Sequence, residues 1–189
     1  MREVAVLGIG QTKVDEHWDK SLKELAGEAI LAALHDSELA GAEALYVGNM
    51  MSGPANHQQH LGASIADWVG MHYTSAMHIE AACGSGAAAF RSALMAIASG
   101  SVDSAIAVGV EKMTDVPGDE ITGQLATAAD ADWEVDQGLS FVAINALIMQ
   151  RYLFEYKWAK SDFGAFSIIP QVRSRPAATS RFNLLSAAR

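Results

Sequence analysis

The sequence contains a single cysteine among 189 residues. One cysteine excludes an internal disulfide framework and a zinc site built from several thiolates. Long apolar runs are also missing, since no stretch approaches the roughly 20 residues that span a bilayer. The chain passes from Met1 directly into a short apolar segment, so no signal peptide is visible. These features predict a soluble cytoplasmic protein with no membrane partner.

Positive charge is scarce as well. The chain has 13 Lys and Arg against 22 Asp and Glu, for a net charge of −9. Nucleic acids and anionic membranes carry negative charge themselves, so neither is expected to bind this chain. Half of the residues are hydrophobic and 19% are charged, which is ordinary for a globular protein with one core.

Short apolar segments alternate with helical patterns along most of the chain. Segments that are apolar at every position are typical of strands buried on both faces of a sheet. Strands that alternate with helices predict an α/β fold, with a mostly parallel sheet and helices on both faces. The predicted strands span residues 4–9, 44–48, 75–81 and 104–110, and the predicted helices begin at Ser21 and span 61–69, 86–99 and 139–156.

Helix starts and buried helix faces also have sequence signals. Ser21 and Glu24 have the spacing of a capping box, in which each side chain bonds the other residue's backbone N–H. Apolar residues at helical spacing predict the side that packs on the core. These residues are Leu61, Ile65, Trp68 and Val69 in one helix, Phe90, Leu94 and Ile97 in the next, and Phe141, Ile144, Leu147, Ile148 and Tyr152 in the last.

The cysteine, Cys83, lies where the third apolar segment ends and an alanine-rich helical pattern begins. The N–H groups and the dipole of a helix start favour an anion, and thus the thiolate form of a cysteine. A thiolate at such a junction is a candidate nucleophile, and its own backbone N–H is a candidate oxyanion donor. The alternative that the residues leave open is a buried cysteine that acts as a small hydrophobic side chain.

Other candidate sites have less support in the sequence. His57 and His60 have the spacing of two ligands on one helical face, but no third ligand stands nearby, so a solvated helix start is favoured. Gly8 and Gly10 lack the third glycine of a dinucleotide-binding turn. The acidic residues between 114 and 137 favour a solvated surface over a metal cage. No metal site and no tightly bound cofactor are therefore expected.

Two motifs in register carry a family resemblance. Glu-Ala-Ala-Cys-Gly-Ser-Gly at 80–86, followed by Val-Gly-Val-Glu-Lys-Met-Thr-Asp at 108–115, resembles the thiolase superfamily. It is similar in particular to the sterol-carrier-protein-type and archaeal acetyl-CoA acetyltransferase branch. The resemblance runs from about residue 4 to about residue 166 and covers only the N-terminal half of a thiolase. It implies a thiolase-like half, one of the two repeated halves of the full fold.

A thiolase makes or breaks a carbon–carbon bond between two acyl-CoA molecules. The resemblance implies that Cys83 takes an acyl group from a coenzyme A thioester and forms an acyl-enzyme. It also implies a histidine base, a second cysteine and another oxyanion site, which the family carries in C-terminal motifs that this sequence lacks. His78 is expected to be a surface or interface histidine and not that base, and Glu80 an interface or supporting residue. By itself the chain is therefore expected to be truncated, weakly active or inactive.

Two functional hypotheses remain open. The first is a thiolase-like acyl-CoA C-acyltransferase of the acetyl-CoA acetyltransferase type. The second is a non-catalytic or split-subunit protein that binds acyl-CoA or a partner, with the base and the second cysteine supplied by another chain. The resemblance also implies a homodimer or higher oligomer, because family dimers pair their sheets at the strand before the cysteine. Archaeal relatives assemble with a hydroxymethylglutaryl-CoA synthase and a small OB-fold zinc-ribbon protein, so these are the partners the resemblance implies.

The two ends of the chain differ in composition. Residues 1–167 are predicted to form the thiolase N-terminal domain, with 114–138 a shortened form of the loop region that helps to cover coenzyme A in the family. Residues 168–189 contain four arginines and no acid, and two prolines interrupt them. We interpret this tail as the product of a shifted reading frame with premature termination. The alternative is a natural basic tail that folds over the domain or stays disordered.

Overall fold

The computed structural model describes residues 2–164, residue 166 and the backbone of Leu184–Ser186. The chain forms two compact units, one that ends at Val116 and includes Leu184–Ser186, and one that begins at Pro117. No described helix combines the length and the apolar character that crossing a bilayer requires. The strands are β1 (Gly8–Gly10), β2 (Ala44–Gly48), β3 (Ser75–Ile79), β4 (Ala105–Gly109) and β5 (Leu184–Ser186), and the helices are α1 (Leu22–Ser37), α2 (Ser52–Asn56), α3 (Leu61–Trp68), α4 (Ser85–Ser99), α5 (Gly118–Ala126) and α6 (Phe141–Tyr156).

The strands of the first unit form one sheet, in the order β1-β5-β4-β2-β3. Strand β2 pairs in parallel with β4 on one side and with β3 on the other, and Ala44 lies opposite Ala105 and Ser75. Strand β5 runs antiparallel to β1 and to β4. The predicted α/β fold is confirmed, and its parallel part consists of the three adjacent strands β4, β2 and β3, whose carboxyl ends meet on the same side of the sheet.

The prediction for the first strand is wrong in both length and burial. Strand β1 covers only Gly8–Gly10, and Ile9 is 47% exposed. The backbone of α1 approaches β1 so closely that a Cβ on Gly10 would lie 2.1 Å from the carbonyl oxygen of Ala29. Gly8 and Gly10 therefore lie on the side of β1 that α1 buries. Ile9, between them, faces the opposite, exposed side.

The central strands divide their side chains between the two faces of the sheet, because successive residues of a strand point to opposite sides. On one face they pack with α1 and α3, and on the other they pack with α4. Each large aliphatic side chain buried in this way contributes about 1.5–3 kcal/mol of transfer free energy. The strand residues of the first core are Leu45, Val47, Ile106 and Val108, and those of the second are Ala44, Ala105 and Ala107.

The start of α1 confirms the predicted capping box. The N–H of Glu24 donates to Ser21 Oγ at 3.3 Å, and the N–H of Ser21 donates to Glu24 Oε2 at 2.7 Å. The backbone bond from Ser21 is the main reason that the pKa of Glu24 lies below its ordinary value, because the ionised carboxylate accepts that bond. Helix α1 begins at Leu22 as a consequence.

Two predicted core positions are exposed in the first unit. Trp68 is 40% exposed, with one side of its ring against Gly27, where a Cβ would lie 2.0 Å from a ring carbon. Leu94 is 37% exposed, and the buried side of α4 consists mainly of Ala89, Ala93 and Ile97. Small side chains on the buried side let α4 approach the sheet closely, and Leu94 is not on that side.

The predicted buried stripe of α6 is also wrong. No residue of this helix is buried, and the exposed fractions within the stripe reach 63% for Ile148. Helical periodicity indicates which side of a helix is apolar, but it does not say whether anything covers that side. The exposed members of the stripe are Phe141, Leu147, Ile148 and Tyr152.

The acidic segment 114–138 is more regular than a loop. It contains α5 and a short helical turn at Ala131–Val135. Asp119 and Glu120 lie in the first turn of α5, where negative charge is favourable. The acidic side chains of this segment are exposed or half-buried, as a solvated surface requires. The interpretation of residues 168–189 lies outside the described residues, except for the strand Leu184–Ser186.

Candidate active site

The turn that contains Cys83 joins the end of β3 to the start of α4. A single helical turn spans Ala82–Gly84, and α4 follows at once with Ser85. The thiol is free and exposed, so the alternative of a buried cysteine is wrong. The loops after β2 and β4 leave the sheet at this same edge, because the three strands are parallel. The carboxyl edge of such a sheet is where α/β proteins commonly bind ligands.

Two side chains hold the backbone that precedes Cys83. Ser85 Oγ accepts a hydrogen bond from the N–H of Ala81 at 2.9 Å and donates one to the carbonyl oxygen of Ala82 at 2.7 Å. The N–H of Ala82 donates to Glu80 Oε1. Ala82 itself has a φ of 47°, in the left-handed region that favours glycine. Both backbone polar groups of Ala82 thus have side-chain partners, which offsets the cost of its conformation.

Glycine residues allow the start of α4 to lie directly against the neighbouring strands. A Cβ on Gly48, the last residue of β2, would be 2.3 Å from the carbonyl oxygen of Ser85. A Cβ on Gly86 would be 3.7 Å from the Cα of Gly109, the last residue of β4. The N-cap of α4, Gly84, makes no side-chain cap hydrogen bond. The positive end of the helix dipole therefore lies at the carboxyl edge, next to Cys83.

A hydrogen-bond network connects the ends of the three parallel strands. Asn49 donates its backbone N–H to the carbonyl oxygen of Ile79 at 3.2 Å and its side-chain Nδ2 to Glu111 Oε1 at 2.6 Å. Glu111 also accepts the backbone N–H groups of Met50 at 3.0 Å and Met51 at 3.2 Å. Asn49 therefore links β2 to β3, and Glu111 links β4 to the start of α2. In the sequence, Glu111 stands out only as part of the motif at 108–115, and no local pattern marks Asn49.

The histidines singled out from the sequence lie at three different positions. His78 Nε2 lies 3.0 Å from the carbonyl oxygen of Asn49, which can only accept, so this nitrogen carries a proton and donates it. His57 and His60 occupy left-handed positions at the end of α2 and the start of α3. Within the described residues, no group of three or more His, Cys, Asp and Glu is arranged to hold a metal ion.

A cavity of about 370 Å³ opens beside the first turns of α4. It is lined by Gly86 and Phe90, by the end of β4 and by residues of the segment 11–17. In this segment Lys13 pairs with Asp15, and their hydrogen bond is the main reason that the pKa of Asp15 lies below its ordinary value. Cys83 does not line the cavity. Nothing in the sequence marked it, because its walls come from three separate parts of the chain.

Comparisons with known proteins extend over most of the chain. The family described as "Thiolase, N-terminal domain" matches residues 4–178. An acetyl-CoA acetyltransferase from Methanothermobacter thermautotrophicus is 43% identical over 171 residues, which are 89% of this chain and 44% of that relative. The chain thus spans about half the length of this relative.

Solved structures share the fold. The Acat5 thiolase from Ascaris suum, in complex with coenzyme A, has a TM-score of 0.56 and 23% identity over 61% of this chain and 32% of its own. The Ltp2-ChsH2(DUF35) aldolase has a TM-score of 0.59 and 23% identity over 85% of this chain and 40% of its own. At these identities the likeness concerns the fold alone. The match of the family over residues 4–178 shows that the chain belongs to the thiolase family and contains its N-terminal domain.

Proposed function

We propose that this chain is part of a thiolase-type acyl-CoA C-acyltransferase, of the acetyl-CoA acetyltransferase type, with Cys83 as its nucleophile. The observation that carries the proposal is the exposed thiol at the start of α4, on the carboxyl edge of the parallel strands. The name of the archaeal relative supports acetyl-CoA as the acyl donor. Coenzyme A thioesters are then substrates and not bound cofactors.

In the proposed first half-reaction, the thiolate of Cys83 attacks the carbonyl carbon of acetyl-CoA. The carbonyl π electrons move to oxygen, and the backbone N–H of Cys83 stabilises the resulting oxyanion together with the dipole of α4. When the C=O bond forms again, the bond between the carbonyl carbon and the coenzyme A sulfur breaks. Coenzyme A leaves as a thiolate and takes up the proton that Cys83 released, and acetyl-Cys83 remains.

The second half-reaction needs a proton acceptor near the acyl-enzyme. We do not assign this role to His78, whose Nε2 donates to the carbonyl oxygen of Asn49 and leaves only Nδ1 as a proton acceptor. We assign the base and the second cysteine to the C-terminal half, as the family resemblance implies. The proposal for this chain is therefore limited to acyl transfer onto Cys83.

A second candidate function is that of a subunit that binds acyl-CoA while a partner chain supplies the remaining groups. Exposed apolar side chains favour association: Met95 of α4 is 45% exposed, and Met77 is 52% exposed on β3, an edge strand of the described sheet. A structural neighbour, Ltp2-ChsH2(DUF35), combines two named components. We propose a homodimer or higher oligomer, with a hydroxymethylglutaryl-CoA synthase and an OB-fold zinc-ribbon protein as the partners that the resemblance implies.

Mass spectrometry of the chain after incubation with acetyl-CoA tests the proposed nucleophile. We expect the mass of one acetyl group on the wild type, mapped to the peptide that contains Cys83, and no such adduct on Cys83→Ala. Because this is the only cysteine of the sequence, no second thiol can substitute for it. Treatment with hydroxylamine at neutral pH should remove the adduct, as expected for a thioester.

A calorimetric titration with coenzyme A, added to this experiment, separates the two candidate functions. If the wild type binds coenzyme A in a calorimetric titration but gains no acetyl group, the chain acts as a binding subunit and the proposed acyl transfer is wrong. If it neither binds coenzyme A nor becomes acetylated, both candidates are wrong.

The source DNA tests the interpretation that residues 168–189 come from a shifted reading frame. Reading codons 160–189 and the following sequence in all three frames will show whether a shifted frame continues the family pattern. A continuation with Gly-His-Pro and Cys-x-Gly segments supports an interrupted thiolase. If none of the frames continues the pattern, the frameshift interpretation is wrong.

A further inference from the structure

We infer that Ser85 is a positioning residue for acyl transfer to Cys83. Its hydroxyl holds the backbone of Ala81 and Ala82 in the shape that sets the thiol at the start of α4. The inference rests on the proposed function, because it concerns the geometry of the same nucleophile.

The first support is that both hydrogen bonds of the Ser85 hydroxyl go to the turn before Cys83. Ser85 is only 4% exposed, and its Oγ uses both its accepting and its donating capacity on the two residues before Cys83. If Ser85 were alanine, the N–H of Ala81 would lose this partner, and the C=O of Ala82 would keep only the backbone N–H of residue 85. The left-handed conformation of Ala82, at a φ of 47°, would then lose part of what maintains it.

The second support is the direction in which the hydroxyl reaches. Ser21 and Ser140 precede α1 and α6, and each accepts the N–H of a residue inside the helix that it begins. Ser85 is the first residue of α4, and its hydroxyl reaches back to the turn before the helix. It therefore shapes the loop that carries Cys83 and does not cap α4.

The geometry of this turn matters more for acyl transfer than for simple thiol chemistry. Acyl transfer needs the sulfur, the substrate carbonyl and the oxyanion donor in one arrangement, and small displacements of such groups slow the reaction strongly. Alkylation by a small reagent such as iodoacetamide needs only an accessible thiolate. A loosened turn should therefore slow acetylation while alkylation continues.

The test compares the wild-type chain with Ser85→Ala and with the matched control Ser92→Ala. Ser92 lies in the same helix and is half-buried, and its Oγ donates to the carbonyl oxygen of Ala88 at 2.9 Å without touching the turn. The single-turnover rate of Cys83 acetylation is measured against acetyl-CoA concentration, and the rate of alkylation by iodoacetamide is measured in parallel. Ala82→Gly is a second variant, since glycine accepts the same φ but relaxes it readily.

We expect the maximal acetylation rate of Ser85→Ala to fall about tenfold, with the half-saturating acetyl-CoA concentration unchanged. Alkylation should stay within about twofold of the wild type. Ala82→Gly should slow acetylation in the same direction, and this variant decides the question if Ser85→Ala does not fold. Ser92→Ala should match the wild type in both reactions.

Equal acetylation rates in the wild type and in Ser85→Ala, or in Ala82→Gly where that variant decides, would overturn the inference and leave the proposed function intact. An equal decrease of acetylation and alkylation would also overturn it, because that result describes a general structural defect. Absence of acetylation in the wild type would instead contradict the proposed function, and the inference would fail with it.

Discussion

Helices α1 and α4 pack against the same sheet, and each has a serine at its start. The hydroxyl groups of the two serines bond different parts of the chain. Ser21 precedes α1, and its hydroxyl accepts an N–H from the first turn of that helix. Ser85 lies inside α4, and its hydroxyl bonds the backbone that comes before the helix. The hydroxyl of Ser21 therefore stabilises the start of α1, whereas the hydroxyl of Ser85 stabilises the turn that contains Cys83.

The two helices also approach the sheet with different side chains. α1 buries large residues such as Leu25, Ile30 and Leu34, and its close approach to β1 comes after its first turns. α4 buries mainly alanines, and its first residue already lies close enough to exclude a Cβ at Gly48. Close approach leaves little tolerance for added atoms. The comparison predicts that the start of α4 is sensitive to small changes that the start of α1 would tolerate.

The largest expected effect is that of Gly48→Ala. The new Cβ would lie 2.3 Å from the carbonyl oxygen of Ser85 and 2.7 Å from the N of Gly86, and backbone atoms cannot move aside independently. We expect a loss of about 3 kcal/mol in the free energy of unfolding, at the upper end of usual overpacking costs. Urea unfolding followed by circular dichroism measures it. The control is Gly123→Ala in α5, where nothing lies within 4 Å of the new Cβ. This substitution should not destabilise the chain. A similar loss of unfolding free energy in Gly123→Ala would contradict the explanation by overpacking.

Glu111→Gln tests whether the network around Asn49 supports the carboxyl edge. The glutamine amide can keep only part of the three hydrogen bonds that the carboxylate accepts, and its NH₂ group would face donors. We expect a destabilisation of about 1.5 kcal/mol in urea unfolding. Glu155→Gln removes an exposed ion pair with Arg151 and should cost less than about 0.5 kcal/mol. Equal effects of the two substitutions would argue against a special role for the network.

Ser21→Ala removes the cap of α1 and leaves the turn that contains Cys83 untouched. The expected cost is about 1 kcal/mol in the free energy of unfolding, which is the usual value of such a cap. Acetylation of Cys83 should not change, in contrast to Ser85→Ala. Ser99→Ala serves as the control, because the hydroxyl of Ser99 bonds only a carbonyl of its own helix. Slower acetylation in Ser21→Ala would show that the two helix starts are coupled.

The smallest expected effect is a pH dependence at the same cap. The pKa of Glu24 is lowered from its ordinary value of 4.5, first by the backbone hydrogen bond from Ser21. The contribution of the ionised carboxylate is therefore fully present above about pH 4.5 and is lost as the pH falls through the lower pKa of the folded state. The difference in urea midpoint between the wild type and Glu24→Gln should shrink as the pH is lowered from 7 to 3. A constant difference would contradict this.

Features that depend on neighbouring residues could be predicted from the sequence. The capping box at Ser21, the strand Ala44–Gly48 and the position of Cys83 between a strand and a helix all follow from short-range patterns of polarity and backbone preference. The burial of Trp68 and of the α6 stripe could not be predicted in this way. Both depend on what packs against a helix face, and periodicity contains no information about that.

The candidate site shows the same limit. The sequence by itself determined which residue we propose as the nucleophile, because it has one cysteine and places it before a helix. The tertiary structure decided how that residue is held. Asn49 and Glu111 are far apart in the chain and meet only because β2 and β4 pair in parallel. The hydroxyl of Ser85 bonds the backbone of Ala81 and Ala82 in a turn where Ala82 has a left-handed conformation. Hydrogen bonds of this kind depend on distances and angles in space, which no local pattern of residues specifies.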